Sequence, residues 1–247
     1  MERLIKRAEQ LGISLTEEQI RSFKLYYEML IETNKVMNLT AITEIDDVIT
    51  KHFIDSISLV KVFSELSQYE KEDNNDSIEP IRILDLGTGA GFPGIPLKIV
   101  FPKIEIILMD SLNKRVMFLQ NVIQKLNMVN ITAVHGRAEE MARKKEYREQ
   151  FDLCVSRAVA NLSTLSEYCI PFVKTGGCFI SYKAADIEEE TDNAKNAIKI
   201  LGGNLTAVKK VILPDTDIER AFVIIDKKRA TPKAYPRKAG TANKNPL

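Results

Sequence analysis

The sequence predicts an α/β protein: a doubly wound, mostly parallel seven-stranded sheet with helices on both faces, preceded by a small helical region. Three observations carry this. Strand-length apolar runs alternate with helix-period segments from residue 81 to 226, the order that builds a parallel sheet. The first of those runs leads into four glycines within eight residues, Gly87, Gly89, Gly91 and Gly94. The last two strands, 208–213 and 220–226, follow one another with no helix between them, which makes them an antiparallel pair.

Residues 1–70 read as helices. Thr16-Glu17-Glu18-Gln19 has the form of a capping box, and Ile20, Phe23, Tyr27, Leu30 and Ile31 then recur at helical spacing. A polar break at 34–43 precedes a second amphipathic helix carried by Val48, Ile49, Phe53, Ile54, Ile57, Val60 and Phe63. His52 and Asp55, three apart, share a face near its polar side, where an exposed His–Asp pair is ordinarily inert. Residues 71–80 form a polar linker.

The domain at 81–226 begins with Ile81, Ile83, Leu84 and Leu86, an apolar run suited to a buried parallel strand. Pro93 and Pro96 suit the first turn of the helix that follows. Further strands are predicted at 103–109, 131–135, 151–156 and 178–182, the last after a Gly176-Gly177 turn. Helices are predicted at 113–127, 161–173 and 187–201, the last stopped by Gly202-Gly203.

A strand, a tight glycine turn and a helix start form the ligand-binding corner of such a domain. Two patterns overlap there. Gly89-x-Gly91-x-x-Gly94 satisfies the dinucleotide fingerprint, whereas Asp85-x-Gly87-x-Gly89-x-Gly91 satisfies the pattern of S-adenosyl-L-methionine (SAM) enzymes. The dinucleotide fingerprint starts immediately after its strand, and here it starts two residues late. Counted from Gly87, its third glycine position is Phe92. An acidic Asp85 at the strand end also suits a ligand with an amino group better than a pyrophosphate. Register and charge therefore favour SAM, with a nucleotide-dependent oxidoreductase as the rival of a different class.

Ligands of open α/β sheets lie outside the carboxyl ends of the strands. That rule selects Gly87, Gly89 and Phe92 after strand one and Asp110 at the end of strand two, 23 residues beyond Gly87. Asp110 is placed to accept both ribose hydroxyls, or to cap the next helix, or both. Ala138 and Glu139 follow strand three, at the adenine edge, although a glutamate at a helix start also serves the helix dipole. Arg157 follows strand four, beside the methionine end of the ligand or the incoming acceptor.

Strand four ends in V-S-R-A, without the Asn/Asp-Pro-Pro-Tyr/Phe run of exocyclic-amine methylation. Cys154 lies inside that strand, unsuited to a nucleophile for pyrimidine C5. Neither His52 nor His135 has a visible partner for acid–base work. No catalytic residue is assigned: the pattern fits in-line transfer to a ring nitrogen with a free lone pair, accelerated by proximity and orientation.

The 247 residues are 45% apolar and 28% charged, ordinary for a globular chain. With no membrane-spanning run and a charged, helical start, the expected location is cytoplasmic, with no membrane partner. Cys154, Cys169 and Cys178 lack paired spacing and read as buried free thiols, and no metal site is expected. Residues 227–247 hold seven basic and no acidic residues, which leaves 1–226 at a net −6. A basic tail on an acidic body fits either a polyanionic partner or a solvated extension.

The chain resembles the bacterial ribosomal RNA small subunit methyltransferase G family, also known as glucose-inhibited division protein B. The resemblance rests on N-L-T-A-I (38–42), K-H-F-I-D-S (51–56), L-D-L-G-T-G-A-G-F-P-G-I-P (84–96), D-S-L-N-K-R (110–115), R-A-E (137–139), S-R-A-V-A (156–160) and Y-P-R-K-A-G-T (235–241). It implies a class I SAM-dependent, Rossmann-like enzyme that methylates N7 of a guanine in the decoding-region loop of 16S rRNA, on free RNA or a small-subunit particle, with no protein partner evident. It further implies that Gly87, Phe92, Ala138, Glu139 and Arg157 contact the cofactor and that Asp110 is the acidic position of strand two. It turns the tail into an RNA contact through Lys233, Tyr235, Arg237 and Lys238, with Tyr235 available to stack. The tail departs from the family in reading G-T-A-N where G-T-P-N is more usual.

Overall fold

The computed structural model describes residues 1–71, 80–157 and 160–247, so residues 72–79 of the expected linker lie outside the described residues. Helices α1 (Glu2–Gln10) and α2 (Glu17–Met37) open the chain. The capping box at Thr16 forms: its Oγ1 accepts from Gln19 N, and Gln19 Oε1 accepts from Thr16 N. The Gln19 amide also donates to the carbonyls of Ile99 and Val100, tying the start of α2 to the sheet domain. The buried stripe of α2 is Phe23, Tyr26 and Leu30. Tyr26, rather than the expected Tyr27, is the fully buried one: it lies three residues after Phe23 and four before Leu30, in line with both, while Tyr27 is half-buried at the edge of the stripe.

The expected second helix is broken into pieces. α3 (Ile45–Val48) runs into a π-helical segment, Ile49–Ile54, then α4 (Asp55–Ile57) and a 3₁₀ turn, Ser58–Lys61. A π segment shifts side-chain facing within a helix and is common at functional sites. Here it buries both His52 and Asp55, at 9% and 1% exposure, so the expected exposed pair is instead an internal one. α5 (Glu65–Lys71) completes this region.

The sheet is seven-stranded in the order β3-β2-β1-β4-β5-β7-β6. Its strands are β1 (Arg82–Leu86), β2 (Glu105–Asp110), β3 (Ile131–His135), β4 (Phe151–Arg157), β5 (Val173–Ala184), β6 (Gly203–Ile212) and β7 (Glu219–Lys227). β7 is antiparallel to both neighbours, and the other pairs are parallel. The crossovers are α6 (Gly94–Val100), α7 (Asn113–Lys125), α8 (Ala138–Met141), α9 (Leu162–Cys169) and α10 (Glu188–Ile200). β5 starts five residues before the expected 178. Gly176 and Gly177 belong to it, and a Cβ on Gly177 would lie 2.4 Å from the Asp152 carbonyl, so the pair permits a close strand approach.

Alternating residues divide the core between the sheet faces. Ile83 joins Phe23, Tyr26 and Phe53 on one side, while Leu84 and Leu86 join Leu162, Phe172 and Ile198 on the other. The helical N-terminal region therefore supplies one layer of the domain's own core. The C-terminal segment packs onto the body as well: Lys227 and Thr231 are buried, and the chain ends in α11 (Thr241–Lys244). No helix among the described residues is long and apolar enough to cross a membrane.

Candidate functional site

The strand order reverses between β1 and β4, and two cavities open at the carboxyl edge on either side of that point. The first, about 380 Å³, spans the ends of β1, β2 and β3 and is lined by Gly87, Asp110, Ala138 and Glu139 among others. The second, about 430 Å³, spans β4, β5 and β7 and is lined by His52, Asp55, Arg157, Tyr182 and Arg220. Register explains the grouping, since Arg157 pairs with Tyr182 and Ala184 with Arg220 along one edge.

The glycine loop between them is built from below. Asp85 is fully buried, and its Oδ2 accepts from the Thr88 hydroxyl (2.6 Å) and from Gly94 N (2.8 Å). Burial pushes its carboxyl up to about 7 against the lowering effect of those hydrogen bonds. Asp85 thus braces the loop from underneath, and its Oδ1 has no hydrogen-bond partner among the described residues. The Tyr26 hydroxyl donates to the Ala90 carbonyl at 2.6 Å, a brace that sequence reading missed by choosing the adjacent tyrosine. Gly87, Gly89 and Gly91 all have positive φ. A Cβ on Gly91 would collide with Ile95, Tyr26 and Leu119, whereas one on Gly89 would meet nothing within 4 Å. Gly91 is thus a packing glycine, and the space beside Gly89 is open.

Asp110 is 3% exposed. Its Oδ2 accepts from Gly89 N at 2.9 Å and from Arg115 Nη1 at 3.4 Å, and its Oδ1 from Leu112 N at 2.8 Å. A carboxylate offers about four acceptor positions, so Oδ1 keeps room for one strong donor. The capping alternative is realised in the Asp110 bonds to Gly89 N and Leu112 N. Glu139, 8% exposed, accepts from Gly240 N at 3.0 Å through Oε1. Gly240 and Asn243 also line this cavity, a contribution no local pattern announced.

Arg157 belongs to the second cavity rather than the first, and Phe92, buried beneath it, lines neither. The Arg157 guanidinium lies 5.2 Å over the Phe92 ring, and His52 stacks on the same ring at 4.4 Å. Arg157 Nη1 donates to Asp55 Oδ2 (2.8 Å) and to the Lys51 carbonyl, and Nη2 faces His52 Nδ1 at 3.2 Å. Arg220 Nε donates to Asp55 Oδ1 at 2.8 Å, so one buried carboxylate bridges two guanidiniums. Burial, reinforced by Arg157, lowers His52 to about 4. The imidazole is neutral near pH 7: Nδ1 faces both Arg157 Nη2 at 3.2 Å and the Lys51 carbonyl at 3.1 Å, and Nε2 lies 2.8 Å from Thr40 Oγ1, so both ring nitrogens are engaged whichever of them carries the proton. The His52 partners, absent from the linear pattern, are thus present in space.

Burial raises the Cys154 thiol well above its ordinary value, which removes it as a nucleophile. Lys233 and Lys238 are exposed and Tyr235 is half-buried. Arg237 is different: its guanidinium is bound to the buried Glu167.

The first cavity fits SAM in its donor set. It offers an acceptor for a ribose hydroxyl on Asp110, a buried carboxylate on Glu139 and the backbone of Gly87 in its wall, while Gly89 and Phe92 of the same loop are not among its lining residues.

A family model described as rRNA small subunit methyltransferase G matches residues 19–219. A relative of that name from Lachnoclostridium phytofermentans is 50% identical over 243 residues, covering 98% of this chain and 96% of the relative. Another, from Alkaliphilus metalliredigens, is 47% identical over 239 residues, covering 97% and 95%. Among solved structures, MtNAS in complex with MTA and tNA superposes with a TM-score of 0.54 at 15% identity, over 83% of this chain and 74% of that one, a likeness of fold.

Proposed function

Because the chain belongs to the rRNA small subunit methyltransferase G family, we propose that it transfers the methyl group of SAM to N7 of a guanine in 16S rRNA, with no dedicated general base. Its substrate is the small-subunit rRNA, alone or as a particle, and its place of action is the cytoplasm.

The observation that carries the absence of a base is the second cavity. Both oxygens of Asp55 are engaged by arginines, both ring nitrogens of His52 are occupied by Arg157, the Lys51 carbonyl and Thr40, and Lys183 is held by the Ala160 carbonyl and Glu190. None of these groups is free to remove a proton from an acceptor. Guanine N7 has an in-plane lone pair and no proton to lose, so such a cavity suffices for it. Bound in the first cavity, SAM would supply an electrophilic methyl on a sulfonium, for which a nitrogen lone pair is a sufficient acceptor without loss of a proton. The chain's contribution is position and exclusion of water. Gly87, Gly89, Asp110, Ala138 and Glu139 hold the adenosyl half, and Arg157, fixed by Asp55 and backed by Phe92, marks the boundary at which cofactor and acceptor meet. Lys233, Tyr235 and Lys238, near the outer end of the C-terminal segment, contact RNA.

Methyl-labelled SAM incubated with the protein and small-subunit RNA or particles tests this, with nuclease digestion to the modified nucleoside. Label is expected in 7-methylguanosine; label on protein or on an exocyclic amine refutes the reading. Replacing Lys233 and Lys238 with alanine should flatten the log–log salt dependence of RNA binding by about 0.7–0.9 for each phosphate left without its lysine, and an unchanged slope removes them from the interface.

A further inference from the structure

Residues 235–243 lie across the cavity assigned to SAM, and the body of the protein grips them at several points. Arg148 donates through Nη1 to the Tyr235 carbonyl at 2.9 Å. Arg237 then meets Glu167 of α9, a carboxylate at 1% exposure, through Nε to Oε1 (3.0 Å) and Nη2 to Oε2 (2.7 Å), and its own backbone N–H adds a third donor to Oε1 (2.7 Å). Three residues on, Gly240 N donates to Glu139 Oε1. Two more residues on, the Ala242 carbonyl accepts from the Thr164 hydroxyl at 3.0 Å. Gly240 and Asn243, held between these anchors, are wall residues of the first cavity.

A buried carboxylate needs a cation with matching geometry, and the planar fork of arginine provides two parallel donors where an ammonium provides a point charge. The fork fixes the direction in which the chain leaves residue 237, and hence where Gly240 meets Glu139. We infer that Arg237 is a positioning residue of the cofactor pocket: its pairing with Glu167 sets the 240–243 wall against Glu139 on the adenosyl side. This departs from the expectation that Arg237 contacts RNA, and it rests on the reading of the first cavity as the SAM site. The exposed Lys233 and Lys238 remain outside the pairing, so one segment carries RNA contacts at its surface and a cofactor wall beneath.

The test uses the full chain and SAM itself, with Arg237→Lys and Thr164→Val as variants. The first keeps the charge and loses the fork; the second loosens the far anchor without touching a buried charge. Calorimetric titration of SAM is expected to give a Kd raised roughly tenfold for Arg237→Lys, the loss of one charge-assisted hydrogen bond, and raised by about threefold for Thr164→Val. In turnover assays KM for SAM rises, while kcat at saturating SAM and the salt slope of RNA binding stay at the wild-type values. An unchanged SAM Kd in both folded variants overturns the inference. So does a salt slope that falls for Arg237→Lys with SAM binding intact, which would return the residue to the RNA. A wild-type protein that fails to bind SAM overturns the underlying assignment of the cavity instead, so the two failures are told apart.

Discussion

Asp55→Asn isolates the bridge that orders the second cavity. The asparagine keeps the shape of the side chain but has one acceptor oxygen where the carboxylate has two. At most one of the hydrogen bonds from Arg157 and Arg220, both 2.8 Å, survives, and its acceptor is then neutral. The two guanidiniums then face each other without a counterion. Removing one partner of a buried ion pair costs about 3–5 kcal/mol. Arg157 and Arg220 retain 16% and 25% side-chain exposure, and solvent screening reduces the expected cost to about 2–3 kcal/mol. For a chain of this length each kcal/mol moves Tm by about 2–4 °C, so thermal melts should fall by about 4–12 °C. A double-mutant cycle with Arg220→Met separates charge from shape. Once one guanidinium is gone the asparagine should cost less, with a coupling of about 1–2 kcal/mol. A melt within about 2 °C of wild type, or additive single effects, would refute the bridge as an energetic unit.

The glycine loop gives a second contrast. Gly91→Ala places a methyl 2.6–2.9 Å from Ile95, Tyr26 and Leu119 at φ +108, whereas Gly89→Ala enters open space at φ +61. Gly91→Ala should cost about 3 kcal/mol of stability through crowding and strain, and Gly89→Ala about 1–2 kcal/mol through strain alone. Gly89→Ala should be the variant that loses the rise in Tm on adding SAM, and a reversed ranking of the two losses would contradict the assigned roles. His52 sets a third expectation. Its folded value of about 4 lies below the unfolded 6.5, so its contribution is complete above pH 6.5 and is lost as pH falls towards 4. Between pH 7 and 5 the wild type should lose about 2 kcal/mol more than His52→Gln in urea titrations, and equal losses would show that the ring is not buried neutral.

Much of the sheet was legible because local signals specify it. The apolar run ending at Leu86, the glycine density after it and the helix starts beyond it put the corner at its observed place, and the capping box at Thr16 formed as its spacing implies. The elements that moved did so for local physical reasons, such as Pro171 ending α9 early in a 3₁₀ turn, Ile170–Phe172. The unread parts of the site share a different cause. Asp55 meets Arg157 at a separation of 102 residues and Arg220 at 165, Glu139 meets Gly240 at 101, and Glu167 meets Arg237 at 70. A single ion pair between distant positions adds no periodicity, so His52 and Asp55 looked like an exposed pair and Arg237 like one more charge of a basic tail.

Those distant pairs explain why the N-terminal helices belong to the cofactor corner. Tyr26 fixes the crest of the glycine loop through Ala90, and His52 stacks on Phe92 while its neighbour Asp55 anchors Arg157 beside it, 3.2 Å from the His52 ring. Beneath them Asp85 commits one oxygen, Oδ2, to Thr88 and Gly94. Each of these polar side chains is used to hold another group still, and among the described residues of the second cavity no base is left over. That is the allocation expected of an enzyme whose acceptor atom already has its lone pair: little would be gained from a proton acceptor, and much from fixing a few side chains around the line joining donor and acceptor. A reaction requiring deprotonation would demand the reverse, one flexible titratable group placed at the acceptor at the expense of this rigidity.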